Sequence, residues 1–125
     1  MNDPLYREII LENWEHPQNY GLLKDADADV TEANPLCGDE LRMMVKVKNK
    51  KISEIGFICQ SCAVAKAATS LLTEKALGMK ATDFLKMEAE EFIDSLQICL
   101  TPARVKCALL GFSTLKKALQ PFDEK

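Results

Sequence analysis

The fold of this chain is decided by residues 41–58, LRMMVKVKNKKISEIGFI. From Leu41 to Val47, apolar side chains alternate with polar ones, which is typical of a strand with one buried face. Met44 is the only break in this alternation. Asn49 begins a predicted tight turn, after which residues 51–58 return as a second strand. The stretch therefore predicts an antiparallel hairpin.

The residues before the hairpin predict one helix and one more strand. Apolar residues recur at helical spacing over residues 3–14, and Asp3 is a suitable N-cap. The helix is expected to end at His16, because the residue before a proline avoids helical geometry. Residues 18–29 are polar and predict a loop, and residues 29–33 predict a short strand. The sheet is therefore expected to have about three antiparallel strands.

The residues after the hairpin predict helices only. An alanine-rich helix follows Cys62 and stops near Gly78, which suits a helix C-terminus. A short helix begins at Thr82, another covers residues 88–96, and Thr101 caps a last helix. The apolar stripe of that last helix consists of Val105, Leu109, Phe112, Leu115 and Leu119. Strands first and helices afterwards predict an α+β fold in a single domain, residues 1–125.

Composition excludes several classes of protein. The chain has 125 residues and a net charge of −3, so it carries no basic footprint for nucleic acid. No apolar run reaches the roughly 20 residues that a membrane span requires. The first residues show neither a basic region followed by an apolar stretch nor an Arg-rich transit peptide. We therefore expect a cytoplasmic protein without nucleic-acid or membrane partners.

Five cysteines mark the chemistry of the chain: Cys37, Cys59, Cys62, Cys99 and Cys107. An odd number in a reducing compartment argues against a disulfide framework and favours metal binding or thiol chemistry. A buried cysteine can also be a small core residue. That interpretation is preferred for Cys99, and it is also open for Cys59.

Three cysteines lie where a reactive or ligating thiol is expected. Cys37 and Asp39 flank a glycine, so a tight turn can direct a thiolate and a carboxylate to one centre. Cys62 lies where a strand passes into a helix, whose positive end favours the thiolate. Cys107 lies in the last helix beside Lys106, whose ammonium can offset negative charge. Thiolates with a carboxylate suit Zn²⁺ or iron with sulfide.

Two other interpretations of these residues compete with the metal site. Cys59 and Cys62 form a CxxC, which is typical of a redox pair or half of a zinc knuckle. No second CxxC is present, and no βαβ unit surrounds the motif, so both are less favoured. His16 is the only histidine, and its place in a loop before proline favours a structural or exposed role over ligation.

The motifs together resemble the IscU/SufU family of iron–sulfur cluster assembly proteins, which includes NifU-like N-terminal domains. Residues 6–10 and 15–21 resemble the family's opening helix and the turn that follows it. The segment NPLCGD, residues 34–39, is the most specific signature. Residues 62–70 and 104–108 resemble the second and third cysteine motifs, so the resemblance covers nearly the whole chain.

The resemblance implies a SufE/IscU-like α+β fold, with a three-stranded antiparallel sheet packed against several helices. It implies that Cys37, Asp39, Cys62 and Cys107 hold a [2Fe–2S] cluster or Zn²⁺. A cysteine desulfurase is the implied partner and delivers sulfur as a persulfide, with apo iron–sulfur proteins as the recipients. Cys59 matches no ligand of the family.

The sequence departs from both branches of the family. IscU proteins usually carry His before the third cysteine, whereas this chain has Lys106, as SufU-like members do. Yet only 44 residues separate Cys62 from Cys107, so the SufU-type insertion is absent. Residues 100–104 only partly resemble the LPPVK segment that a specialised Hsp70 grips in IscU, so a chaperone partner is not implied.

Three functions therefore remain open. The leading one is a scaffold or carrier, rather than an enzyme, that builds a cluster and passes it on. The alternative is a zinc-bound, SufU-like sulfur-transfer protein, with Cys37 and Cys107 as candidate persulfide acceptors and Lys106 as their electrostatic support. The third is a CxxC thiol-redox protein.

Overall fold

The predicted hairpin forms the centre of the sheet. The computed structural model describes residues 4–34, 38–60, 63–95 and 102–122, without the side chains of residues 4–7, 34, 39 and 102–104. Strand β2 spans Asp39–Lys48 and β3 spans Lys51–Gln60, paired antiparallel. Asn49 and Lys50 join them with φ values of 53° and 68°. Positive φ at both residues is what a two-residue type I′ turn requires.

The third strand lies beside β2 at the opposite edge from β3. Strand β1 spans Ala28–Asn34 and pairs antiparallel with β2, with Asn34 opposite Asp39. The strand order is β1-β2-β3. This confirms the three-stranded antiparallel sheet, and β1 is one residue longer at each end than the alternation predicted.

Met44 breaks the alternation because a loop covers the outer face of the sheet at this point. The loop first joins the edge of β3, where the Gly21 N–H donates to the Phe57 carbonyl at 2.8 Å. It then crosses the sheet, and the Leu23 N–H approaches the Met44 sulfur at 3.5 Å. A Cβ at Gly56, opposite Met44, would lie 2.7 Å from the Gly21 carbonyl oxygen. Both faces of the sheet are therefore buried here.

Five α-helices are present among the described residues, in agreement with the helical pattern of the sequence. They are α1 Pro4–Glu15, α2 Ala63–Ala76, α3 Ala81–Lys86, α4 Ala89–Ser95 and α5 Pro102–Leu119, with a short 3-10 turn at Gln120–Phe122. Helix α5 packs on β1 and β2, α2 packs against α5, and α1 packs against α2. The core lies between the inner face of the sheet and these helices.

The two long inner helices begin at the same end of the sheet. The Gly78 and Ala81 N–H groups donate to the carbonyls of Ile52 and Lys50, so α2 ends and α3 begins beside the hairpin turn. The 3-10 turn that follows α5 also contacts α3. Helices α2 and α5 therefore begin toward the other end of the sheet, which we call the distal edge. It contains the paired ends Asn34–Asp39 and Glu40–Gln60.

Candidate functional site

The described residues that flank three of the predicted ligands lie at the distal edge. Gly38 directly follows Cys37 and leads into β2, and its φ of 70° is the left-handed conformation expected of the tight turn. Ala63 directly follows Cys62 and begins α2, three residues after β3 ends at Gln60. Cys37, Cys62 and the side chain of Asp39 themselves lie outside the described residues. The described residues before and after these three predicted ligands therefore lie at one edge of the sheet.

The fourth predicted ligand, Cys107, lies on the buried face of α5. Its side chain is only 6% exposed. Gly111 and Thr114 follow it at helical spacing on the same face and are also buried. Cys107 precedes Thr114 by seven residues, which is about 10 Å along a helix axis. This displacement is directed toward the distal edge, where the other three ligands are predicted.

A carboxylate on the inner face of the sheet holds α5 against β1. Glu32 accepts hydrogen bonds from the Thr114 hydroxyl at 2.9 Å and the Ser113 hydroxyl at 3.3 Å, and it pairs with Lys117. Burial raises the pKa of Glu32, but hydrogen bonds from Lys117, Thr114 and Ser113 outweigh that effect and hold the pKa below its ordinary value. The ionised carboxylate therefore fixes α5 two turns after Cys107.

Sequence reasoning missed Glu32 although a signal for it was present. In β1, Glu32 follows Ala28 and Val30 at a spacing of two, and both of these residues pack against the core. The alternation therefore places Glu32 on the inner face. A carboxylate there needs polar partners, and α5 supplies them from a distant part of the chain.

Glu32→Gln should lower the free energy of unfolding by about 1–2 kcal/mol at pH 7, because charge-assisted hydrogen bonds are lost. The folded pKa lies below the ordinary 4.5, so the stabilisation is present above that pH and is lost as the pH falls through the folded pKa. The difference between wild type and variant should therefore shrink below pH 4.5. Urea unfolding at several pH values measures it.

The matched control is Asp29→Asn, the same change three residues earlier in β1. Asp29 pairs with Arg42 at 2.6 Å, but their side chains are 40% and 45% exposed. An exposed ion pair contributes less than about 1 kcal/mol. Equal losses from the two variants, or a Glu32→Gln difference that is unchanged at pH 3, would show that Glu32 does not stabilise the fold as an ion.

Of the remaining candidate residues, two are exposed and one is half-buried. Lys106 is exposed although its neighbour Cys107 is buried, and its electrostatic role stays a prediction. Cys59 is half-buried and packs against the core, and His16 is exposed after α1. Cys99 lies outside the described residues. Within the described ranges, no three His, Cys, Asp or Glu side chains are grouped so that they could hold a metal.

The comparison with known families decides the identity of the fold. The family model described as "NifU-like N terminal domain" matches residues 5–125. The chain belongs to this family. The match confirms the family resemblance that the three cysteine motifs of this NifU-like domain indicate. None of the helices in the described ranges is long and apolar enough to cross a membrane.

Named relatives are similar to the NifU-like domain over nearly its whole length. "Iron-sulfur cluster assembly scaffold protein IscU 1" of Archaeoglobus fulgidus is 31% identical, over 97% of this chain and 78% of that protein. "Zinc-dependent sulfurtransferase SufU" of Bacillus subtilis is 30% identical, over 94% of this chain and 90% of that protein.

A solved structure shows the same fold. The crystal structure described as an iron–sulfur cluster assembly scaffold protein for the SUF system, from Fervidobacterium islandicum AW-1, superposes with a TM-score of 0.75. It is 24% identical, and the match covers 96% of the NifU-like domain and 100% of that chain. The α+β architecture is therefore that of the family.

Proposed function

We propose that this NifU-like domain is a scaffold on which an iron–sulfur cluster is assembled and from which it is passed to apo-proteins. The observation that carries the proposal is the similarity, over 97% of the chain, to a relative named as an iron–sulfur cluster assembly scaffold. The buried Cys107, carried toward the distal edge by α5, supports it. We also propose that the protein acts in the cytoplasm.

The proposed ligands are Cys37, Asp39, Cys62 and Cys107. Thiolates bind Zn²⁺ and iron–sulfur clusters firmly, whereas a carboxylate is a harder donor that matches these metals less well. Asp39 is therefore the weak fourth ligand, which suits a carrier that has to release its cargo. The cargo is a [2Fe–2S] cluster, with Zn²⁺ as the alternative occupant of the same donor set.

Sulfur is proposed to arrive from a cysteine desulfurase by thiolate exchange. An acceptor thiolate, Cys37 or Cys107, attacks the outer sulfur of the desulfurase persulfide, and the desulfurase cysteine leaves as a thiolate. The acceptor then carries the persulfide. Cys107 is 6% exposed, so it offers a partner little surface until α5 moves. This burial favours Cys37 as the first acceptor and Cys107 as a ligand.

Anaerobic reconstitution with iron, cysteine and a desulfurase tests the scaffold function, with visible absorption and metal analysis as the measurements. Cluster absorption bands, with two irons for each protein chain that carries a cluster, support the scaffold. Bound zinc, persulfide on the protein and no bands would favour sulfur transfer. Disulfide reduction without any bound metal would favour the CxxC redox function and overturn the other two.

A second candidate function is zinc-dependent sulfur transfer, and Lys106 favours it. A lysine directly precedes the third cysteine of the motifs here, and a relative over 94% of the chain is named a zinc-dependent sulfurtransferase. An exposed ammonium beside the site can attract the negatively charged persulfide of a partner.

Lys106→Ala should slow sulfur uptake from the desulfurase several-fold at low ionic strength, because the attraction between Lys106 and the persulfide is lost. Radiolabelled sulfur transferred to the protein at pH 7 is the measurement. Lys75→Ala is the matched control, since Lys75 is an exposed lysine at the end of α2, away from the distal edge. If both variants take up sulfur at the wild-type rate, Lys106 has no part in transfer.

A further inference from the structure

We infer that Thr69 of α2 and Gly111 of α5 are positioning residues for Cys107, because their contact sets how closely α5 lies to α2. The inference rests on the proposed function, in which Cys107 is a ligand. It adds two residues that do not bind the metal themselves but determine the position of the Cys107 thiol.

The contact between the two helices leaves no room for a side chain on Gly111. A Cβ built there would lie 2.5 Å from Oγ1 of Thr69, and 3.0 Å and 3.1 Å from its Cγ2 and Cβ. Real Cβ atoms essentially never have neighbours closer than 3.0 Å. The backbone of α5 therefore packs directly on the Thr69 side chain.

Thr69 cannot turn away to make room. Its side chain is 1% exposed, and its hydroxyl donates to the Ala65 carbonyl within α2 at 2.8 Å. A β-branched side chain in a helix also has few allowed rotamers. A larger residue at Gly111 must therefore push the two helices apart rather than displace Thr69.

The position of the contact along α5 makes Cys107 sensitive to it. Glu32 holds the helix at Thr114, three residues after Gly111, so α5 can pivot there. Gly111 lies about 4.5 Å from that pivot along the axis and Cys107 about 10 Å. A wedge at Gly111 therefore displaces Cys107 about twice as far as it displaces Gly111. Metal–ligand distances tolerate only about 0.2 Å.

The test measures metal binding to the full chain and its variants. Gly111→Ala should weaken Zn²⁺ binding about 10- to 100-fold, the range for residues that orient a ligand without touching the metal. Competition with a chromophoric chelator gives the affinity. With Co²⁺ as the probe, the sulfur-to-cobalt charge-transfer absorption should weaken or shift, which reports directly on how the thiolates are placed.

The rescue variant separates positioning from general damage. In Thr69→Ala/Gly111→Ala the two closest atoms of Thr69 are gone, so Zn²⁺ affinity and the Co²⁺ spectrum should return most of the way to wild type. Alanine also favours a helix more than glycine does. The Gly111→Ala change should therefore cost much less stability in the Thr69→Ala background, where only the Cβ at 3.1 Å remains, than when Thr69 is present. That difference is a double-mutant coupling between the two positions.

Gly56→Ala is the matched control for overpacking. Its Cβ would lie 2.7 Å from the Gly21 carbonyl oxygen, a comparable clash on the outer face of the sheet. It should cost stability and leave Zn²⁺ affinity unchanged. An equal loss of affinity in Gly56→Ala, or no recovery in the double variant, would overturn the inference.

Two further outcomes have defined meanings. A folded Gly111→Ala with wild-type affinity and spectrum overturns the inference and leaves the scaffold function intact, whereas a wild type that binds no metal overturns both. If Gly111→Ala does not fold, Thr69→Ala alone is decisive. It lets α5 approach α2, so the Co²⁺ spectrum should change in a folded protein, and an unchanged spectrum overturns the inference.

Discussion

Cys107→Ser should weaken Zn²⁺ binding by more than about 100-fold, because even residues that only orient ligands cost about 10- to 100-fold. A serine hydroxyl keeps its proton near neutral pH, so the site loses one thiolate and its charge. Serine is nearly the same size as cysteine, and Cys107 is 6% exposed, so α5 should keep its packing. Chelator competition and cluster absorption after reconstitution measure the loss.

The controls for this variant are the two cysteines that are not proposed ligands. Cys59→Ser changes a half-buried cysteine that packs against the core, and Cys99→Ser changes one that was predicted to be a core residue. Both variants should bind Zn²⁺ as the wild type does. An equal loss from Cys59→Ser would point to the CxxC pair instead, and an unaffected Cys107→Ser would remove Cys107 from the ligand set.

Alternation and turn chemistry predicted the sheet because both are local properties of the chain. Residues 41–58 carry the two strands and the turn, and all three formed as expected. The burial of Met44 could not be predicted in the same way, because it depends on a loop that joins the edge of β3 and then crosses the outer face. Gly56 was the available signal, since a glycine inside a strand often marks a close approach of backbone.

In the candidate site, too, the features set by local sequence were predictable and those set by distant contacts were not. The cysteine motifs could be identified because they are short and contiguous, and the family match agrees with them. The contacts that hold α5 could not, because Glu32, Thr69 and Gly111 come from three distant segments. Gly111 gave a partial signal, since a glycine inside a helical pattern usually has a packing reason. Its partner could be named only from the structure.

A buried polar network joins α1 and the loop after it to α2. The Ser70 hydroxyl donates to the Asn13 side-chain oxygen at 2.7 Å and accepts from the Gln18 N–H at 2.7 Å. One turn further along α2, Thr73 accepts from the Asn19 side chain at 3.1 Å. The sequence showed only a helix rich in small residues. The structure explains why some of them are hydroxylic, since the loop's polar groups need buried partners.

Ser70→Ala should lower the free energy of unfolding by about 2–4 kcal/mol, because the buried Asn13 oxygen loses its donor at about 1–3 kcal/mol and the part-buried Gln18 N–H loses its acceptor at about 1 kcal/mol. Ser70 is 0% exposed and Asn13 is 8% exposed, so water has little access to replace the lost hydroxyl. Urea unfolding followed by circular dichroism measures the change.

The matched control is Ser53→Ala in β3. The Ser53 hydroxyl donates to the Lys46 carbonyl at an exposed site, so this variant should change the free energy of unfolding by less than about 0.5 kcal/mol. A Ser70→Ala loss as small as that of Ser53→Ala would show that the network does not hold the loop to α2. With the expected loss, amide hydrogen exchange should also rise at Gln18, whose N–H loses its acceptor on α2, more than at Gly21, whose N–H keeps its bond to β3.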